Sequence, residues 1–165
     1  MKAIVLATVA LLGCGILLGA AEPIPASSVK WLGHFGSSEA APKFIFCLMA
    51  RGFFQMSISP EMPGLMDAWL RDHPKAVIVP VASLGPLSDK DPESKMTFVW
   101  IVDGEHNLNL ELVRQGCFAP QTETIGKQQK LEIPQADYDA FVQKVLAAGK
   151  DAKEKKLGIW KASSE

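Results

Sequence analysis

With 165 residues, 48% of them hydrophobic and 21% charged, the chain is long enough to bury one core and too short to divide into two ordinary domains. Its formal net charge of -1 supplies no whole-domain basic field, which weighs against a nucleic-acid partner.

Met1-Lys2 opens the chain, Ala3 to Leu18 is almost unbroken in apolar character, and Gly19, Ala20 and Ala21 precede Glu22-Pro23. This is the layout of a secretory signal peptide over 1–21, with small residues where signal peptidase needs them and cleavage expected after Ala21. The apolar run is borderline for a membrane span and lacks a basic stop-transfer flank, so no transmembrane span is expected in the mature chain. Export across a bacterial inner membrane follows, to the periplasm or the medium. Cys14 behind Leu11-Leu12-Gly13 resembles a lipoprotein box. The residues from Gly15 to Leu18 stay apolar where a lipoprotein turns polar, which makes lipid anchoring the minority alternative.

Residues 22–28 carry Pro and Ser and read as a flexible leader to a domain over 29–162. A first strand is expected from Val29, then a loop over Gly36 to Pro42. Phe44 to Met49 is a β-rich apolar run ending at Arg51-Gly52, and Phe53 to Ser59 alternates as a half-buried third strand does. Leu65, Met66, Trp69 and Leu70 fall at helical spacing between Pro63, suited to a first turn, and His73-Pro74, which stops the helix. Ala76 to Val81 and Met96 to Val102 complete five strands, with Pro80 marking an edge or a bulge. A second short helix over Asn109 to Arg114 has Gly116 as a left-handed cap. The third helix opens at Pro134 and gathers Tyr138, Phe141, Val142, Val145, Leu146 and Ala152 on one face.

The mature chain keeps Cys47 and Cys117, each among apolar residues. Two readings stand: one disulfide in an oxidising compartment, or two buried thiols acting as small hydrophobes. Neither cysteine has metal-ligand spacing.

Asp103-Gly104, then Asn109-Leu110-Glu111-Leu112-Val113-Arg114-Gln115-Gly116, and later Ala152-Lys153-Glu154-Lys155-Lys156-Leu157-Gly158-Ile159-Trp160 resemble, in order and spacing, the C-terminal half of staphylococcal nuclease-like (thermonuclease) domains. From Val29 to Pro80 only the order of elements and Pro60-Glu61 ahead of a helix match. The resemblance implies an α+β, mainly β fold: a five-stranded OB-type barrel carrying three helices. It also implies that Leu157, Ile159 and Trp160 pack the last helix on the barrel.

A phosphodiesterase of that family needs carboxylates for calcium, a glutamate to activate water, and two arginines to neutralise the phosphate. Where the resemblance places the first metal carboxylate, this chain reads Ala40-Ala41-Pro42-Lys43; Ile58 stands for the next aspartate and Phe53 for an arginine. Arg51 reads as a turn residue. Glu61 and Lys95 alone remain as candidate catalytic positions, and lysine cannot reproduce the two-pronged contact of a guanidinium. The other reading of Glu61 is an acid on a helix dipole. His34, His73 and His106 share no spacing, Asp89, Asp91 and Glu93 read as a solvated acidic loop, and the lysines from Lys150 to Lys161 read as helix-surface charge.

The expectation is therefore a degenerate nuclease-type domain that acts as a binding or structural module and requires no cofactor. Phe44, Phe46, Phe53 and Phe54 put an apolar barrel face at the disposal of a peptide, a lipid, a partner protein or an anionic ligand, and the same residues are as readily core. The rival reading is a calcium-dependent endonuclease for DNA or RNA with ligands drawn from Glu39, Asp67, Asp89 or Asp91. Nucleic-acid binding without cleavage is a third, and requires a basic groove with exposed aromatics.

Overall fold

The computed structural model describes residues 23–51, 58–120 and 130–161. The expected signal peptide, Cys14 and most of the expected third strand, with Phe53 and Phe54, lie outside the described residues. The chain is α+β and mainly sheet. Its elements are β1 (Lys30–Leu32), β2 (Phe35–Ser37), β3 (Phe44–Leu48), α1 (Met62–Asp72), β4 (Val77–Leu84), β5 (Lys95–Asp103), β6 (His106–Asn107), α2 (Leu108–Arg114), β7 (Lys130–Leu131) and α3 (Gln135–Glu154).

The sheet is seven-stranded and mixed, in the order β1-β2-β3-β5-β4-β7 with β6 hydrogen-bonded to β5. Among the described residues only β3 and β5 pair in parallel, Phe44 opposite Lys95 through to Leu48 opposite Val99. Five strands were expected from the sequence. The additional short strands β2, β6 and β7 span two or three residues, too few for an alternating pattern to register. β2 also takes Gly36 and Ser37 from the expected loop, which therefore begins later than the sequence suggested.

Local chemistry explains the element ends. Pro63 occupies the first turn of α1, where its missing N–H costs nothing, and the helix closes at His73 ahead of Pro74. In β4 the register slips between Pro80 and Ala82, which accommodates a residue that cannot donate to the ladder. Asn107 caps α2 by accepting from the Leu110 N–H at 3.1 Å.

One face of the sheet, with Phe46, Leu48, Ile78, Val81, Val99 and Ile101, is buried together with Met62 and Met66 of α1 and Leu112 and Val113 of α2. α3 lays Tyr138, Phe141 and Val145 onto the same core, and Phe141 meets the Trp100 ring at 4.2 Å. Within the stretch read as a flexible leader, Ala26 is buried and its N–H donates to Ala76 O at 2.8 Å, while the Ile78 N–H donates to Ile24 O at 2.9 Å. The open edge of β4 supplies those backbone partners, so Ile24 to Ala26 is tied down against it.

Candidate functional site

Glu61 sits at the N-cap of α1, where its side chain makes no cap hydrogen bond. Its carboxylate pairs instead with the Lys161 ammonium, delivered from the far end of the chain. Both side chains are about half exposed, so the pair is weak in energy but it neutralises the glutamate. Lys95 opens β5, with its N–H donating to Lys43 O at 3.0 Å. Among the described residues no ion pair or hydrogen bond joins Glu61 to Lys95.

Lys43, standing where a metal carboxylate is implied, holds the acidic loop. Its ammonium pairs with Glu93 and lies 3.8 Å from Asp91. The Glu93 hydrogen bond, followed by the charges of Asp91 and Glu93, raises its pKa above the ordinary lysine value. Lys43 thus already supplies a cation to Asp91, one of the carboxylates that the rival reading assigns to calcium. Glu39 pairs with Lys30 at 3.1 Å on the open surface. Ala41 is buried in tight turns, accepting from Phe44 N–H at 3.0 Å.

Of the remaining predicted positions, Ile58 packs against the core. The Arg51 carbonyl accepts from the Tyr138 hydroxyl. Burial raises the Tyr138 pKa, with the nearby Arg51 charge opposing it. His34 is pushed below the ordinary histidine value by burial. His73 stacks on Trp69 at 4.0 Å and its Nδ1 donates to the Trp69 carbonyl at 2.9 Å. Its ring comes within 5.1 Å of His106. Helical and hairpin turns bring these two histidines together across 33 residues, a proximity their spacing gave no means to read.

Two of the phenylalanines proposed for a binding face divide: Phe46 is core and Phe44 is partly exposed. The exposed apolar face has other members. Leu32 is opposite Phe35 and Phe35 opposite Cys47, so Ile45, two residues before Cys47, shares their side of the sheet. Leu32 is 85% exposed, Phe35 40% and Ile45 42%. The sequence gives no means to single them out, because exposure depends on which strands have a layer above them.

Cys47 and Cys117 are free, buried thiols. Burial pushes the Cys47 thiol up to about 12, and burial with the acids Glu61 and Glu111 pushes Cys117 up to about 11, both above the ordinary thiol value. Residues 22–165 at pH 8 are expected to react with a thiol-specific disulfide reagent only through unfolding, with two equivalents consumed in denaturant. The folded values are raised, so this stability is fully present below pH 9 and is lost as pH climbs toward 11 and 12, by about 1.4 kcal/mol per pH unit for each thiol. Urea titrations from pH 8 to 11 check this. A Cys47→Ala, Cys117→Ala double variant losing stability as steeply as the parent refutes it.

No protein-family model matches the chain, and no curated protein matches it.

Proposed function

We propose that the chain is an exported, staphylococcal nuclease-like domain that has lost phosphodiester cleavage and works as a binding module. The OB-type part of this reading is supported by the strand order β1-β2-β3-β5-β4 with β3 and β5 parallel. The segment from Ile24 to Ala26, bonded to the outer edge of β4, supports barrel closure. The single observation that carries the loss of catalysis is the pairing of Glu61 with Lys161. A water-activating carboxylate works beside a metal and the phosphate, whereas here it is neutralised by a lysine and stands apart from Lys95.

The exterior of β1 to β3 serves as the binding face. Leu32, Phe35 and Ile45 lie side by side and exposed, which suits an apolar segment of a protein or peptide. The absence of a basic field leaves nucleic acid disfavoured.

The test is cleavage of single-stranded DNA and RNA by residues 22–165, with calcium and with chelator, beside Glu61→Gln. Folded protein is expected to cleave neither substrate, and Glu61→Gln is expected to change nothing. Calcium-dependent cleavage that Glu61→Gln abolishes overturns the reading and restores the endonuclease.

A further inference from the structure

A groove of about 450 Å³ runs between the outer face of β4 and β5 and the helix α3, on a different part of the molecule from the β1 to β3 face. Val79, Trp100 and Val102 form its floor and Phe141 its wall. Trp100 is only 9% exposed, and its indole Nε1–H has no hydrogen-bond partner. A volume of this size suits a molecule of small-ligand dimensions.

The rim is acidic. Glu105 lies in the turn between β5 and β6, Glu132 follows β7, and Asp137 opens α3. Glu132 accepts from the Ser83 hydroxyl at 2.7 Å through one oxygen; Glu105 and Asp137 form no ion pair among the described residues. Asp137, Phe141 and Lys144 fall at i, i+4 and i+7, so one stripe of α3 faces the groove. Against three carboxylates stand only Lys144 and His106.

We infer that this groove binds a small organic amine whose flat apolar body lies against Trp100 and Phe141 and whose ammonium meets the carboxylate rim. The aromatic floor takes the apolar body, and the excess of carboxylates sets the sign of charge. An anionic ligand of the same shape meets repulsion from the same groups.

The experiment is nitrogen-15 NMR of the full mature chain titrated with 2-phenylethylamine, 3-phenylpropionate and 2-phenylethanol, with the Trp100 indole signal assigned by its loss in Trp100→Phe. The amine is expected to shift that signal saturably, at least about fivefold more tightly than the alcohol, and the carboxylate not at all. Glu105→Gln with Asp137→Asn, both exposed and near-isosteric, is expected to weaken the amine about fivefold or more, and added salt to weaken it further. Equal binding of all three probes, shifts centred on other indoles, or no shift in a well-dispersed spectrum each overturn the inference. None of these outcomes bears on the loss of cleavage, which the nuclease assay decides separately.

Discussion

Replacing Asn109 with alanine is expected to cost about 3–5 kcal/mol of stability, enough to unfold much of a marginal domain. Asn109 is fully buried in α2. Its Oδ1 accepts from the Ile101 N–H at 3.0 Å, and its Nδ2 donates to Met49 O at 2.8 Å and to Val99 O at 2.9 Å. One amide therefore satisfies three backbone groups from β5 and from the segment that follows β3. Alanine leaves all three without a partner in a dry interior, and each orphan costs roughly 1–3 kcal/mol. Aspartate fares no better, since it keeps the acceptor, loses both donors and buries a charge. The measurement is the urea midpoint, read beside Asn107→Ala, which removes only the α2 cap and is expected to cost about 1 kcal/mol. If Asn109→Ala proves no worse than Asn107→Ala, the buried amide is not what joins α2 to the sheet.

Asn109 also marks how far the sequence could be read. A buried asparagine in a short apolar helix is visible as an oddity, and the turn at Asp103-Gly104 and Gly116 place it on α2. Its partners, 8 to 60 residues away, are not visible. All three helices follow from apolar spacing, with proline at the starts of α1 and α3 and Gly116 at the end of α2, because those signals are local. β4 and β5 follow from long β-branched runs, and the bulge in β4 from Pro80. The three-residue β2 and the two-residue β6 and β7 exist only because a neighbour supplies hydrogen bonds, so no pattern announces them. Of the candidate site, Glu61 ahead of a helix was legible from Pro60-Glu61 and the apolar spacing that follows it. That Lys161 reaches Glu61 across 100 residues was not, since the lysine-rich C-terminus reads equally well as solvated charge. Exposure of Leu32 and Ile45 was hidden for a related reason. An apolar residue in a strand declares a preference for burial, and only the packed layers decide whether it is met.

Placing an alanine at Gly116 or Gly158 is expected to cost about 2–4 kcal/mol and to separate Lys161 from Glu61. Both glycines lie in the left-handed region, with φ of 69° and 51°, and their backbones cross in contact. A Cβ on Gly116 falls 2.7 Å from the Leu157 carbonyl carbon, and one on Gly158 lands on the carbonyl of Gly116 itself. Neither obstacle is a flexible side chain, so the strands of the crossing must part. The Ile159 N–H donates to Gly116 O at 2.9 Å across this junction. It turns the C-terminal segment so that Trp160 lies under Lys153, 5.3 Å from ring centroid to ammonium, and Lys161 reaches α1. The crossing is thus what brings a cation to Glu61. Gly64 serves as the control, because a Cβ there meets open space in α1 and alanine is expected to stabilise the helix by about 0.5–1 kcal/mol. Denaturation midpoints of the three variants, with the Trp160 indole nitrogen-15 NMR signal, assigned by its loss in Trp160→Phe, as the local readout, check the argument. Large losses at Gly116 and Gly158 with none at Gly64 support the crossing. Mild effects at both would mean that the C-terminal segment docks without it and that the Glu61 pair rests on the lysine alone.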